Sequence, residues 1–135
     1  MRIVLDTNCL MAVIPTSSIY HKIWTEFLDG KHTLCVTTEI MQEYEEVLYR
    51  WYPKHIVYLV MELLLTSTNV EHINIYYYWK LINADPDDNK FVDCAISANA
   101  KYIVTNDKHF NILNSIDFPK VNIITLNEFA EKTLR

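Results

Sequence analysis

The chain begins Met1-Arg2-Ile3-Val4-Leu5-Asp6-Thr7-Asn8, a short apolar run that ends in an acid. A matching run, Tyr102-Ile103-Val104-Thr105-Asn106-Asp107, lies near the other end of the chain. Apolar runs of this length, bounded by polar residues, are typical of buried strands. If the two strands are parallel neighbours, Asp6 and Asp107 meet at one edge of the sheet. Open α/β sheets carry out their chemistry at that edge, outside the carboxyl ends of the strands.

Short apolar runs alternate with segments of helical periodicity along the whole chain. This alternation predicts an α/β fold, a three-layer sandwich in which helices flank a central parallel sheet of about five strands. We expect a single domain over residues 1–135, a length that suits one hydrophobic core. The predicted strands cover residues 2–5, 33–36, 70–73, 102–105 and 122–124.

The predicted helices are placed by apolar spacing and by capping residues. They cover residues 19–28, a segment that starts after Thr37 or Thr38 and reaches Trp51, and a segment from Pro53 to about residue 65. The aromatic run at 76–79 is predicted to open a short helix that ends near residue 83. A further helix covers residues 89–99, and Thr125 and Glu128 have capping-box spacing for a last helix that reaches Leu134.

The composition excludes two classes of nucleotide-binding protein. A single glycine leaves no glycine-rich phosphate loop of the P-loop or dinucleotide-binding type. The formal charge of −5 argues mildly against a nucleic-acid partner, because such proteins usually carry a basic surface. Setting aside four acids that could bind metal raises this charge to −1. The overall acidity therefore does not decide the question.

The cysteines and the apolar stretches indicate the cellular location of the protein. Cys9, Cys35 and Cys94 are odd in number and lack paired spacing, which favours free thiols in a reducing compartment over a zinc site. The N-terminus has no signal-peptide pattern, because its apolar run is short and ends at Asp6. The apolar stretch at 56–65 is too short to span a membrane. We therefore expect a cytoplasmic protein with no membrane segment.

Four acids stand at strand ends or in the helix turns just beyond them: Asp6, Glu43, Asp88 and Asp107. Each has an ordinary structural explanation when taken alone. Asp6 could organise a turn or cap a helix, Glu43 could pair with a lysine or arginine, and Asp88 occupies a helix N-cap position. Taken together they predict a bound divalent metal, since clustered carboxylates repel one another unless a cation neutralises them. Oxygen ligands without a His/Cys set suit Mg²⁺ or Mn²⁺ better than zinc.

The ordered set of these motifs resembles the PIN domain over essentially the whole chain. The branch it is most similar to is the PIN-family toxin components of bacterial and archaeal toxin–antitoxin systems. The matching stretches are Leu5-Asp6-Thr7-Asn8, Glu43 within residues 38–44, Asp85-Pro86-Asp87-Asp88-Asn89-Lys90-Phe91 with the helix that follows, and Ile103-Val104-Thr105-Asn106-Asp107. In this chain Asn106 stands where relatives often have glycine.

The resemblance implies a five-stranded parallel sheet and a Mg²⁺- or Mn²⁺-dependent endoribonuclease. The family's acidic positions carry over onto Asp6, Glu43, Asp88 and Asp107, and polar support falls to Thr7, Asn8 and Thr105. The third acid is the least certain assignment. Asp93 is its rival as a metal ligand, although on an ideal helix it projects away from the sheet and is interpreted as a supporting residue or a solvated charge.

Substrate and partner contacts are predicted near the same sheet edge. Lys90, Lys101, Lys108 and His109 are candidates to hold RNA phosphates, although ordinary solvated surface explains each of them as well. The resemblance also implies a cognate antitoxin protein, and homodimers are common in the family.

Two other interpretations of the acids stay open. One is a catalytically silent module of the same fold that acts by binding another protein. The other is an Asp-based phosphatase or receiver domain, which normally needs a further acid near the first strand. Asn8 occupies the position where the phosphatase would carry its second aspartate.

Overall fold

The computed structural model describes residues 1–133, which form a three-layer α/β sandwich around a parallel sheet. The strands are β1 (Arg2–Leu5), β2 (Thr33–Val36), β3 (Val70–His72), β4 (Tyr102–Val104) and β5 (Ile123–Ile124). They lie in the order β3-β2-β1-β4-β5, and every neighbouring pair is parallel. The predicted fold class is confirmed.

The sheet order places β1 at the centre, between β2 and β4. The chain adds β2 and β3 on one side of β1 and then returns to add β4 and β5 on the other. Ligand sites in open α/β sheets lie where the strand order reverses in this way, at the carboxyl ends of the strands. Leu5 pairs with Val104, so the residues that follow β1 and β4 emerge side by side.

Six α-helices connect and cover the strands within residues 1–133. They are α1 (Thr7–Val13), α2 (His21–Leu28), α3 (Thr38–Trp51), α4 (Lys54–Thr66), α5 (Asn89–Ala98) and α6 (Leu126–Thr133). Two 3₁₀ segments, Pro86–Asp88 and Lys108–Ser115, precede α5 and follow β4 respectively. None of these helices combines the length and apolar character needed to cross a membrane.

Helix α3 is held against the end of β1 by a buried tyrosine. The backbone N–H of Ile40 donates to the Thr37 side chain at 3.1 Å, which confirms Thr37 as the N-cap. One face of the helix buries Ile40, Met41, Tyr44 and Leu48 in the core. The Tyr44 hydroxyl donates to the Leu5 carbonyl at 2.5 Å. This contact fixes the turn of α3 that carries Glu43 beside the residue that follows β1.

Three local predictions are wrong. No helix forms over residues 76–83: the segment is irregular, Lys80 has a φ of 54°, and Tyr76 is 89% exposed. Aromatic residues lose rotamer freedom in a helix, and here no apolar stripe is buried in return. Residues 7–13 form a helix that was not predicted, and residues 108–115 form a 3₁₀ segment where a short loop was expected.

Strands β1 and β2 match their predicted ranges, and the remaining predicted elements differ from the structure only at their ends. Strands β3, β4 and β5 are each one residue shorter than expected. The capping box that begins α6 is confirmed, since the Thr125 N–H donates to Glu128 and the Glu128 N–H donates to the Thr125 hydroxyl, both at 3.1 Å. The predicted end of this helix at Leu134 lies outside the described residues.

We expect Tyr44→Phe to lower the free energy of unfolding by about 1 kcal/mol, because it removes a buried hydrogen bond and leaves the aromatic packing intact. Urea denaturation followed by circular dichroism measures the change. Tyr76→Phe is the matched control, since Tyr76 is 89% exposed. Equal losses in the two variants would contradict the proposed anchoring of α3.

Candidate active site

Asp6 is the first residue after β1, and a threonine hydroxyl ties it to Asp107. Asp6 is only 7% exposed. Its Oδ2 accepts a hydrogen bond from the Thr105 hydroxyl at 2.8 Å, and the same Thr105 oxygen accepts from the Asp107 backbone N–H at 3.0 Å. Asp6 occupies the N-cap position of α1, but its side chain makes no capping hydrogen bond.

Glu43 reaches the same edge from α3 and is held by two side chains. Its Oε1 lies 2.7 Å from the Lys90 ammonium, and its Oε2 accepts from the Thr7 hydroxyl. Thr7 is buried, and the Lys90 side chain is only 10% exposed. The ion pair considered for Glu43 as an alternative to metal binding is therefore present in the structure.

Asp88 carries a buried carboxylate oxygen without a hydrogen-bond partner. The residue ends the 3₁₀ segment and occupies the N-cap position of α5, as predicted, but it is 8% exposed and its side chain makes no capping hydrogen bond. Within residues 1–133 its Oδ2 accepts no hydrogen bond, and the His109 Nδ1 atom stands 3.6 Å away. An oxygen in this state is costly unless a ligand satisfies it.

Asp107 is the most exposed of the acids that follow a strand. Its Oδ1 accepts from the His109 backbone N–H at 2.9 Å, which caps the 3₁₀ segment. The same oxygen lies 3.4 Å from His109 Nδ1. His109 therefore stands between Asp88 and Asp107.

The four carboxylates act on one another electrostatically. Burial raises the pKa of Asp6, the Thr105 hydrogen bond lowers it, and the charges of Asp107 and Glu43 raise it. Burial also raises the pKa of Asp88 to about 7, with further contributions from Asp107, Asp85 and Asp6. The predicted acids thus converge at the carboxyl ends of β1 and β4.

A family model described as the PIN domain matches residues 2–109. The chain belongs to the PIN domain family. This is a family of nucleases, and the resemblance stated from the sequence motifs is confirmed. No curated protein matches the chain by sequence.

Solved structures share the PIN fold at low sequence identity. VapBC2 from Rickettsia felis, bound to a DNA fragment from its promoter, is 18% identical with a TM-score of 0.64 over 93% of this chain and 98% of that one. VapBC-1 from nontypeable Haemophilus influenzae is 16% identical with a TM-score of 0.60 over 94% and 99%. The RRP44 PIN domain of T. brucei is 13% identical with a TM-score of 0.55 over 98% and 80%. At these identities the likeness concerns the fold alone.

Asp93 contacts a different part of this PIN domain from the acids that follow β1 and β4. It is 4% exposed, so its interpretation as a solvated charge is wrong. Its Oδ1 accepts from the Trp79 backbone N–H at 3.0 Å, and the acidic charge that raises its pKa, after burial, is that of Glu39. Asp93 therefore anchors the irregular segment 74–83 to α5, and it is Asp88 that lies with Asp6 and Asp107.

The predicted supporting residues separate into two groups. Thr7 and Thr105 contact Glu43 and Asp6 directly. Asn8 is exposed and lines a groove with Met11, Trp51 and Tyr52, and within residues 1–133 its side chain makes no hydrogen bond. Within the described residues, no hydrogen bond supports the predicted supporting role of Asn8.

The lysines predicted to contact RNA phosphates have different surroundings in the structure. Lys108 is exposed and borders a cavity of about 400 Å³ lined by Thr105 and Asp107. Lys90 is already paired with Glu43. The prediction for Lys101 is wrong, because Lys101 precedes β4 and its N–H donates to the Arg2 carbonyl at the amino edge of the sheet.

The site suits a hard divalent cation. Carboxylate oxygens predominate, and the unpartnered Asp88 oxygen lies 3.6 Å from His109 Nδ1 and is influenced by the charges of Asp107, Asp85 and Asp6. Sequence reasoning missed Asp85, which was interpreted as a turn residue although it lies one turn before Asp88. It also had no signal for the Glu43–Lys90 pair, because those residues lie far apart in the chain.

We expect the metal-free protein to lose stability as the pH rises from about 4 to about 7. The pKa of Asp88 is raised from 3.8 to about 7 in the folded protein, so the native state binds more protons than the unfolded chain in this window. Stability therefore falls as the proton is lost. Asp88→Asn removes this ionisation. At about pH 8 we therefore expect the free energy of unfolding of Asp88→Asn to exceed that of the wild type by on the order of 2 kcal/mol.

Urea denaturation in the presence of a chelator, at several pH values across this window, measures the effect. Asp117→Asn is the control, because Asp117 is an exposed aspartate. The same pH profile in the wild type and in Asp88→Asn would show that Asp88 is not the titrating group.

Proposed function

We propose that this PIN domain is a divalent-metal-dependent endoribonuclease that hydrolyses RNA phosphodiester bonds. The proposal rests on the grouping of Asp6, Asp88 and Asp107, in which a buried carboxylate oxygen of Asp88 has no hydrogen-bond partner within residues 1–133. That edge of a parallel sheet is where an α/β fold binds its substrates. Membership of a nuclease family supports the same reaction class.

The residues of the chain supply positioning and charge. Thr105 orients the carboxylate of Asp6 and the backbone of Asp107, while Thr7 and Lys90 orient Glu43. Asp6 and Asp107 are the central metal ligands, and Glu43 and Asp88 complete the set or orient the attacking water. When bound, Mg²⁺ or Mn²⁺ polarises the phosphodiester and lowers the pKa of a bound water. Hydrolysis leaves a 5′-phosphate on the product.

RNA must approach an acidic protein, so the negative charge of the site has to be offset locally. The ammonium of Lys90 offsets the charge of Glu43, and a bound cation offsets further carboxylates. Lys108, at the mouth of the site, contacts substrate phosphates in this proposal. The three buried free cysteines agree with a cytoplasmic, reducing location.

We further propose that the chain is the toxin of a toxin–antitoxin pair. Two of its structural neighbours are VapBC complexes, which are toxin–antitoxin assemblies. The cognate antitoxin would place a segment with a basic side chain over the acidic edge. Exposed aromatic side chains at Tyr76, Tyr77, Tyr78 and Phe118 offer area for this partner or for a homodimer.

One observation favours a catalytically silent PIN module as the second candidate. Glu43 is already neutralised by Lys90 and hydrogen-bonded by Thr7, so this acid is satisfied without a cation. Titration with Mn²⁺ separates the two functions. Saturable binding that disappears in Asp6→Asn and Asp107→Asn supports the nuclease, whereas no binding by the wild type supports the silent module.

We expect Asp6→Asn to reduce RNA cleavage by about 100-fold or more while the fold is retained. Loss of a metal ligand should exceed the roughly 10–100-fold effect of losing a supporting residue around a metal. Purified protein is incubated with mixed cellular RNA, with and without Mn²⁺, and the cleavage ends are mapped. Asp29→Asn is the control, since Asp29 is exposed and follows α2 at the amino edge of the sheet. Full activity in Asp6→Asn would overturn the assignment.

A further inference from the structure

Asp85, Asp88 and His109 bring three potential ligand atoms together from two separate parts of the chain. Asp85 and Asp88 flank Pro86-Asp87 ahead of α5, and His109 lies in the 3₁₀ segment after β4. One ligand atom from each lies within 4.8 Å of the others. Among residues 1–133, these three are the one such group of His, Cys, Asp or Glu.

The unpartnered oxygen of Asp88 belongs to this group. It is buried and accepts no hydrogen bond within residues 1–133, although His109 Nδ1 stands 3.6 Å away. Both this separation and the 3.4 Å between the ring and Asp107 exceed the roughly 2.7–3.2 Å of ordinary N–H···O hydrogen bonds. The imidazole thus lies within ion-pairing distance of two carboxylates without a hydrogen bond of ordinary length to either, and its nitrogen stays available to a ligand.

The backbone around the three residues is held in place before any ligand arrives. Asp85 Oδ1 accepts from the Asp87 N–H at 3.2 Å, and the Asp88 N–H donates to the Asp85 carbonyl at 3.1 Å. His109 is fixed through its own N–H, which donates to Asp107 at 2.9 Å. Little ordering of the chain would accompany binding, which favours affinity.

We propose that Asp85, Asp88 and His109 form a mixed carboxylate–imidazole subsite for a divalent first-row transition metal ion. The inference deepens the proposed nuclease function, because Asp88 is shared with that site. Mg²⁺ prefers oxygen ligands, whereas imidazole nitrogen also binds Mn²⁺ and the later metals of the series. His109 therefore directs the centre toward Mn²⁺ over Mg²⁺, and its role is metal ligation rather than phosphate contact.

The test is Mn²⁺ binding read by calorimetry and by electron spin echo spectroscopy, which detects a nitrogen bound to the ion. We expect nitrogen coupling in the wild-type protein and its loss in His109→Gln. Mn²⁺ affinity should fall about tenfold or more in His109→Gln and in Asp85→Asn, with a smaller change for Mg²⁺ in His109→Gln. His55→Gln is the matched control, since His55 is exposed on α4. Circular dichroism of each variant verifies the fold.

The outcomes separate this inference from the nuclease proposal. One outcome overturns the proposed subsite and leaves the nuclease proposal standing. In that outcome Mn²⁺ binding is lost in Asp6→Asn, shows no nitrogen coupling in the wild type, and is unchanged in His109→Gln and Asp85→Asn. Nitrogen coupling without cleavage of RNA overturns the nuclease and leaves the subsite standing. No Mn²⁺ binding by the wild type overturns both proposals, because the histidine is then only a neighbour of the two acids.

Discussion

The Thr105 hydroxyl is the contact on which the candidate site depends. It donates to Asp6 and accepts from the backbone of Asp107, and it thereby joins the residues that follow two central strands. Parallel pairing of Leu5 with Val104 brings those residues side by side, and the hydroxyl sets their separation. Tyr44 extends the arrangement, because its bond to the Leu5 carbonyl positions α3 and hence Glu43. A few directional bonds therefore convert the order of the strands into a cluster of carboxylates.

This cluster works against the stability of the folded chain. Burial and mutual repulsion raise the pKa values of Asp6 and Asp88, so both acids resist ionisation in the metal-free protein. Within residues 1–133, the basic side chains paired with the four acids are Lys90 and His109. Lys90 satisfies Glu43 alone, and the histidine stands too far from Asp88 to bond to it. A structure that keeps such acids together is typical of a site whose ligand supplies the missing positive charge.

The parts of the fold that were predicted are those where local pattern and tertiary packing agree. The apolar runs of β1, β2 and β4 are buried as expected, and Thr37, Thr125 and Glu128 cap the helices that their positions predict. The aromatic run from Tyr76 to Trp79 was wrongly predicted to open a helix, because its three tyrosines are exposed and bury no helical face in the core. Asp93 was misassigned because an ideal helix says nothing about the segment that later packs over it. The Glu43–Lys90 pair and the approach of His109 to Asp88 depend on how distant segments are folded together, which no local pattern encodes.

The proposed nuclease requires these carboxylates to gather around one metal centre at the carboxyl edge of the sheet. The most direct measurement is anomalous X-ray scattering from crystals grown with Mn²⁺, recorded on both sides of the manganese absorption edge. We expect an anomalous peak bounded by the carboxylates of Asp6, Asp88 and Asp107. A peak at another part of the surface, with these three acids making only protein contacts, would show that they do not bind the metal.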